Sequence, residues 1–321
     1  MPSLFWSGKL TVPMKLLIEA NNLLSLVTGS SGDLAGMKDR VKRGYEGEFS
    51  DHVHSYDALG FHLQDRSARI QLEGLDFDGM NVLDVGCGTG ALAYVAVEQG
   101  ARSVVCGDVS YLMLKAVAAK NESSEFRLSN CQLDAEGLPF AGDSFDSVLS
   151  GMTFGTLPDQ ALAVREMIRV TKPGGLVCIG AHGPEHYWEA IDATLRCISK
   201  RHVLGYRFEW WPRTEVYIRT LFEGAGLESV QSRRATWQNK FQDSGAAYDF
   251  FAAISSSWWY ARLPQEERDK ESRRTRDYFI RREIDVITDD IVVVFGRKCA
   301  ASHGLHYNHL SSEDIDNAYQ R

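Results

Sequence analysis

The residues best suited to chemistry lie in a glycine-rich loop, Gly86 to Gly90, that follows an apolar stretch at 82–85. A glycine at every second position lets a ligand lie against the backbone, because no Cβ blocks its approach and positive φ angles cost little. Residues 91–97 then favour a helix whose N-terminal amides would point back into the loop. The pattern predicts that a small-molecule site begins here.

An acidic residue follows the glycine loop at a spacing that indicates the class of ligand. Asp108 stands 18 residues after Gly90, at the end of a second apolar run at 103–107. A carboxylate in this place can accept hydrogen bonds from both hydroxyls of a ribose. The spacing therefore indicates a nucleoside ligand.

Two nucleoside cofactors fit the loop. Gly86, Gly88 and Ala91 meet the dinucleotide fingerprint G-x-G-x-x-G/A, which suits NAD. Asp84 followed by G-x-G-x-G is instead the form found in S-adenosylmethionine (SAM) enzymes, and here the sequence resembles the class I SAM-dependent methyltransferases, in particular their ubiquinone/menaquinone C-methyltransferase (UbiE-like) branch. The resemblance covers about residues 78–182 and is carried by four further stretches: 134–140 (DAEGLPF), 144–150 (SFDSVLS), 165–170 (REMIRV) and 172–176 (KPGGL).

The resemblance implies roles for the acids near the loop. Asp108 would take the ribose hydroxyls, Asp134 with Ala135 the adenine, and Asp84 would orient the loop and attract the ammonium of the methionyl part. For each acid the alternative is a capping or surface carboxylate. The predicted cofactor-binding residues are Asp84, Gly86, Cys87, Gly88, Gly90, Asp108, Val109, Met113, Asp134, Ala135 and Ser150.

The predicted catalytic residues follow the fifth apolar strand. Methyl transfer is an in-line attack on the sulfonium methyl, so alignment and a desolvated pocket matter most, and a base is needed only when the acceptor must lose a proton. His182, Glu185 and His186 are the candidates for such a base, with Tyr187 beside them. A structural role for these histidines is equally open.

The segment at 45–63 supplies one more candidate. In UbiE-like enzymes a comparable Tyr-Asp upstream of the first strand belongs to a lid over the cofactor, which makes Tyr56 a predicted site residue. His52, His54 and His62 lie close by, but their spacing does not place them on one helical face with a carboxylate partner. No metal site is predicted.

Apolar strands alternate with helical patterns from residue 81 to residue 180, and further strands follow at 227–232 and 290–296. Such alternation predicts a parallel sheet that binds ligands at the carboxyl ends of its strands. The resemblance implies that the last strand is antiparallel, unlike in a nicotinamide-binding domain. The predicted fold is α/β, a seven-stranded Rossmann-like methyltransferase sheet with helices on both faces and an added, largely helical cap.

The predicted domain organisation has three parts. An amphipathic helix is expected at 10–27; it could cover the active site, touch a membrane surface, or pack on the protein's own core or on a partner subunit. The parts are an N-terminal helical lid or cap at 1–77, a methyltransferase domain at 78–299 with cap insertions at about 183–213 and 233–285, and a polar tail at 300–321.

Composition narrows the class of partner and the compartment. A net charge of −8 argues against a nucleic-acid partner, whose phosphates would require a basic face. The six cysteines form no C-x-x-C pair, which fits a reducing cytoplasm, and no apolar run is long enough to span a bilayer. We therefore expect a cytoplasmic enzyme, with a homodimer as one option.

The sequence says least about the methyl acceptor. Aromatic clusters at 206–211 and 258–260 fall in the predicted cap and favour a small apolar or aromatic acceptor methylated on oxygen or carbon. These rings could instead form the core of the cap. Two other functions stay open, a non-catalytic SAM- or S-adenosylhomocysteine-binding partner protein of the same fold and an NAD-dependent oxidoreductase.

Overall fold

The computed structural model describes residues 64–122, 128–197, 215–253 and 265–300. The predicted N-terminal helix, Tyr56 with its histidine neighbours, and both aromatic clusters lie outside these ranges. The elements in chain order are α1 (64–72), β1 (Asn81–Val85), α2 (Ala91–Glu98), β2 (Ser103–Asp108), α3 (Tyr111–Asn121), β3 (Leu128–Gln132), β4 (Phe145–Gly151), α4 (Gln160–Val170), β5 (Thr171–His182), α5 (Trp188–Cys197), α6 (Glu215–Gly224), β6 (Leu227–Lys240), α7 (Ser244–Phe251), α8 (Gln265–Arg281) and β7 (Val286–Lys298).

Within the described ranges, seven strands form one sheet in the order β3-β2-β1-β4-β5-β7-β6. Strands β1 to β5 pair in parallel, whereas β7 lies antiparallel between β5 and β6. The predicted seven-stranded sheet with an antiparallel last strand is confirmed. The position of β7 also favours the methyltransferase interpretation of the glycine loop over the nicotinamide one.

The buried strands supply apolar side chains to both faces of the sheet. Successive residues of a strand point to opposite faces. Val82 accordingly packs in one core cluster, whereas Leu83 and Val85 pack in the other. The sheet therefore has helices on both sides and holds its carboxyl edge rigidly.

The edge strand β6 is longer than the sequence predicts. Residues 231–240 pair with residues 286–295 of β7, so 233–240 belong to the sheet and the insertion predicted at 233–285 begins only at residue 241. The error has a physical reason: β6 borders solvent and carries polar residues (RRATWQNK at 233–240), which lack the apolar alternation of a half-buried strand. Helices α7 and α8 occupy the described part of the insertion.

Helix α1 is fixed to the sheet by its last turn. The buried Gln71 side chain donates from Nε2 to the carbonyl of Ser150 over 2.9 Å. The Arg233 guanidinium donates to the carbonyls of Gln71 and Glu73 over 2.8 and 2.6 Å, which satisfies the end of the helix. A Cβ at residue Gly180 would lie 2.2 Å from the Gln71 side chain, so glycine permits this close approach. Helix α1 thus lies directly over the carboxyl edge.

Within the described ranges, no helix combines the length and the apolar character that crossing a membrane requires.

Candidate functional site

A cavity lies at the carboxyl ends of the parallel strands, beneath helix α1. One end is formed by the glycine loop and by the residues that follow β2 and β3. Eight of the predicted cofactor residues line it: Asp84, Gly86, Cys87, Asp108, Val109, Met113, Asp134 and Ala135. The sequence motifs therefore converge on one concave surface.

The glycine loop owes its path to Gly86. This residue has a φ of 71°, in the left-handed region that favours glycine. The Thr153 hydroxyl donates to the Gly86 carbonyl over 3.0 Å, and a Cβ at residue 86 would lie 2.4 Å from that hydroxyl oxygen. The loop and the segment after β4 are therefore locked together.

Replacing Gly86 by Ala is expected to weaken cofactor binding at least tenfold, because the new methyl group must displace Thr153 from the cavity wall. The matched control is Gly88→Ala. Gly88 also has a positive φ, 52°, but a Cβ there meets no atom within 4 Å. Both variants carry the left-handed strain of about 1–2 kcal/mol, so only the overlap separates them. Calorimetric titration with the cofactor would contradict this account if the two variants lost equal affinity.

Asp108 shapes the loop and faces the cavity at the same time. Its Oδ2 accepts a hydrogen bond from the Gly88 amide over 2.9 Å, and its Oδ1 accepts one from the Ser110 amide over 2.8 Å. Burial raises the pKa of this carboxyl, and the backbone hydrogen bonds partly oppose that rise. Because a carboxylate oxygen accepts more than one hydrogen bond, both oxygens can still serve a ligand.

The Asp84 carboxylate is buried without enough hydrogen-bond or charged partners to replace its hydration. Its side chain is 1% exposed, and among the described residues neither oxygen has a hydrogen-bond partner of ordinary geometry. Burial raises its pKa to about 7, repulsion from Asp108 adds to the rise, and the Ala93 amide offsets it only partly. A cationic group in the cavity would supply the missing partner.

Three predicted cofactor residues lie outside the lining. Gly88 and Gly90 shape the turn, with positive φ angles, and Gly90 begins helix α2. Ser150 is fully buried within β4, where its neighbour Gly151 reaches the cavity instead. Cys87 does line the cavity, but burial raises the pKa of its thiol well above the ordinary range, which does not suit a nucleophile.

The opposite end of the cavity is formed by His182, His186, Tyr187 and Asp289. The two imidazole rings lie 4.4 Å apart between centroids. Burial lowers the pKa of His182 to about 4 and that of His186 well below its usual value, so both are neutral at pH 7. His186 Nδ1 lies 3.1 Å from the Asp290 amide and 3.6 Å from Asp289 Oδ1.

Asp290 holds the turn that carries these histidines. Its buried carboxylate accepts two hydrogen bonds from the Arg234 guanidinium, at 2.8 and 2.7 Å, and one from the Glu185 amide at 2.7 Å. The backbone amide of Gly183 donates to the Asp290 carbonyl over 2.7 Å. Strand β7 therefore fixes the geometry of the 183–187 turn.

Glu185 does not reach the cavity. Its carboxylate lies 3.6 Å from the Arg234 guanidinium, on the outer side of the turn, and is absent from the lining. The predicted role of Glu185 as a base is therefore not supported by the geometry. Consecutive side chains of this turn point in different directions, so Glu185 lies partly exposed on the outer side while His186 and Tyr187 take the inward positions.

Sequence reasoning missed several lining residues. Asp289 lies on β7, more than a hundred residues from the other acids, and no local motif marks it. Met152 and Thr153 follow β4 without a recognisable spacing, although Met152 has a φ of 57°, uncommon outside glycine. A signal did exist for helix α1, since the residues it contributes recur at i, i+3, i+4 and i+7: Gln64, Ser67, Ala68 and Gln71.

No group of three or more potential metal ligands is present in the described ranges.

Comparison with known proteins finds a matching family model and similar sequences. Residues 83–179 match the family model of a methyltransferase domain. An uncharacterized protein of Mycobacterium tuberculosis is 29% identical over 175 residues, 54% of this chain and 63% of the relative. A demethylmenaquinone methyltransferase of Desulfitobacterium hafniense is 41% identical over 103 residues, 31% of this chain and 41% of that enzyme. The chain thus spans less than two thirds of these relatives.

The fold has a solved counterpart as well. Phosphoethanolamine N-methyltransferase 2 of Haemonchus contortus, in complex with S-adenosyl-L-methionine, gives a TM-score of 0.51 at 16% identity, covering 78% of this chain and 57% of that one. At this identity the likeness concerns the fold. Together with the strand order, the match at 83–179 shows that this chain contains a methyltransferase domain with a seven-stranded sheet of this fold.

Proposed function

We propose that the protein transfers the methyl group of SAM to a small, largely apolar or aromatic acceptor. The observation that carries the proposal is the buried carboxylate of Asp84, which faces the cavity without a hydrogen-bond partner of ordinary geometry among the described residues. The ammonium of the methionyl part of SAM is a cation of the kind that this carboxylate requires. The glycine loop beside it leaves room for that part of the ligand.

The rest of the cofactor end fits the other parts of SAM. Asp108 would accept hydrogen bonds from the ribose hydroxyls, while Asp134 and Ala135, in the turn after β3, would contact the adenine. Val109 and Met113 add apolar surface where a flat base is best desolvated. When bound, SAM supplies a methyl group on a positively charged sulfur.

The opposite end of the cavity supports the acceptor. Tyr187 and Met152 provide a wall of low polarity, and the two neutral histidines offer nitrogen acceptors without adding charge. His186, Tyr187 and Asp289 are buried, and burial strengthens electrostatic interactions with the reacting atoms. When the acceptor must lose a proton, the side chain that accepts it has to lie at this end of the cavity.

Methylation on oxygen or carbon of an apolar or aromatic acceptor is consistent with the relative named as a demethylmenaquinone methyltransferase, which is similar over 103 residues. The aromatic clusters at 206–211 and 258–260, predicted to line the cap, lie outside the described residues. Their binding role therefore stays a prediction, as does the role of Tyr56 in a lid.

The first test is calorimetric titration with SAM, using Asp108→Asn beside the wild type. The substitution keeps one oxygen acceptor but removes the charge, so we expect affinity to fall by about 2 kcal/mol, roughly 30-fold. The matched control is Asp249→Asn, which removes a carboxylate that is 57% exposed from a surface pair with Arg276. Unchanged SAM affinity in a folded Asp108→Asn protein would contradict the ribose assignment.

Turnover is tested separately, by the release of S-adenosylhomocysteine when fractionated small molecules from a cell extract serve as acceptors. The proposal expects release in at least one fraction. Tight SAM binding with no release in any fraction would favour the non-catalytic alternative, whereas binding of NAD instead of SAM would favour an oxidoreductase.

A further inference from the structure

We propose that Asp289 is the catalytic base of this enzyme and that the acceptor is a phenol, whose hydroxyl proton passes to the Asp289 carboxylate. The inference rests on the proposed methyl transfer. It adds the chemical class of the acceptor and the residue, on β7, that takes the acceptor's proton.

The placement of Asp289 supports this role. The residue is 2% exposed to solvent and lines the acceptor end of the cavity, away from Asp84 and Asp108. Asn239 Nδ2 donates a hydrogen bond to Oδ2 and fixes the carboxylate on that side. Oδ1, which lies 3.6 Å from His186 Nδ1, remains as the oxygen for a substrate hydroxyl.

A phenol suits the Asp289 carboxylate because its hydroxyl must lose a proton to become a strong nucleophile, whereas a neutral amine attacks without a base. The Arg66 guanidinium lies 5.0 Å from the centroid of the Trp237 ring, and its charge favours the ionised carboxylate of Asp289. The groups that face Asp289 are Arg66 on α1, His182 and His186 at the 183–187 turn, Glu189 on α5, Asn239 on β6 and the neighbouring Asp290.

The histidines are less suitable as bases. A general base works best when its pKa lies near the working pH. Burial lowers the pKa of His182 to about 4, whereas burial, with smaller repulsion from Glu189 and Asp290, raises the pKa of Asp289 to about 7. At pH 7 to 8 the carboxylate therefore retains a proton far better than either imidazole.

The proposed step balances without an oxidant or reductant. A lone pair on the phenol oxygen forms the new bond to the methyl carbon, and the carbon–sulfur bond breaks with its electron pair remaining on sulfur. The hydroxyl proton moves to Asp289 Oδ1 and is released to solvent afterwards. The products are the methyl ether, S-adenosylhomocysteine and one proton.

The test uses the full chain with three phenols as probes, namely 4-nitrophenol, catechol and 4-methylphenol. Binding of 4-nitrophenol to the S-adenosylhomocysteine-loaded protein is followed by absorbance, with 4-nitroaniline as the amine of matching shape. Methylation of catechol and 4-methylphenol is followed by S-adenosylhomocysteine release between pH 5.5 and 9. Wild type, Asp289→Asn, His182→Gln and the surface control Asp285→Asn are compared, and each melting temperature is recorded.

We expect the wild type to bind 4-nitrophenol and to show a kcat/KM that rises with pH through about 7, as the Asp289 carboxylate ionises. Asp289→Asn should bind 4-nitrophenol at least tenfold more weakly, lower kcat/KM at least 30-fold and abolish the rise with pH, while 4-nitroaniline and SAM bind as before. His182→Gln should keep the rise with pH. The substitution to Asn removes a buried charge and keeps the shape, so the fold is expected to persist.

Three outcomes would overturn the inference: no binding or methylation of any phenol by the wild type, preferential binding of 4-nitroaniline, or a pH dependence that disappears in His182→Gln and survives in Asp289→Asn. Each leaves methyl transfer itself intact as long as SAM binds and extract fractions are methylated. Failure of the wild type to bind SAM would instead overturn the proposed function.

Discussion

Replacing Asp84 by Asn is expected to remove most of the affinity for SAM and, at the same time, to stabilise the ligand-free protein at alkaline pH. The affinity should fall by about 1.5–3 kcal/mol, because the cofactor ammonium loses a charge-assisted hydrogen bond in a buried site. The stability gain has a separate origin in the raised pKa of the Asp84 carboxyl.

The sign of the stability effect follows from where Asp84 holds its proton. The folded chain keeps this proton up to about pH 7, whereas the unfolded chain releases it near 3.8, the ordinary pKa of an aspartate side chain. Between those values the unfolded chain is ionised while the buried carboxyl stays protonated, so the stability of the wild type falls by about 1.4 kcal/mol per pH unit. Relative to the wild type, Asp84→Asn should gain up to roughly 3 kcal/mol between pH 5 and pH 8.

Denaturant unfolding of the ligand-free proteins at pH 5 and pH 8, combined with calorimetric SAM titration, measures both effects. Asp249→Asn, which removes an exposed carboxylate, should change neither quantity. A stability difference between Asp84→Asn and the wild type that is the same at both pH values would show that the Asp84 carboxyl does not retain its proton in the folded state.

Replacing Asp290 by Ala is expected to destabilise the protein by about 3 kcal/mol and to lower turnover through the displaced histidine turn. The substitution removes the buried acceptor of Arg234 and leaves the Glu185 amide without its carboxylate partner. Breaking a buried ion pair costs about 3–5 kcal/mol. The lower value applies because the Arg234 side chain is 39% exposed and can be hydrated.

The matched control lies at the end of β6 and directly before β7. Lys240 and Asp285 pair at 2.6 Å, but the lysine is 70% exposed, so Asp285→Ala should cost less than about 1 kcal/mol. Denaturant unfolding compares the two variants, and SAM titration tests the cofactor end. If Asp290→Ala were no more destabilising than Asp285→Ala, β7 would not hold the 183–187 turn.

The cofactor end of the site could be predicted because its signals are local. Asp84, Gly86 and Asp108 belong to a strand, a loop and the next strand, whose short connections fix their spacing along the chain. Parallel strands then bring those positions together at one edge of the sheet. A single sequence therefore contains nearly all the information for this half of the cavity.

The acceptor end could not be predicted in the same way. Asp289 reaches the cavity through the pairing of β7 with β5 and β6, which the sequence around Asp289 does not encode by any spacing. Its acidic neighbour Asp290 points elsewhere and serves Arg234, so two adjacent carboxylates have different fates. The inward direction of His186 and the outward one of Glu185 depend on the 183–187 turn, whose geometry is set by β7.

Strand β7 is the last strand of the chain but lies inside the sheet, between β5 and β6. The two ends of the cavity are therefore completed at different times during synthesis. Gly88 and Asp108, which meet at the cofactor end, are 20 residues apart, whereas Glu185 and Asp290 are separated by 105 residues. Contacts between distant residues form slowly, and a chain folds progressively as it leaves the ribosome. A nascent chain that has reached β5 can already assemble the SAM half, while the edge of β5 stays open until residues 286–298 emerge. We therefore expect cellular SAM to stabilise the growing chain before it has a place for any acceptor.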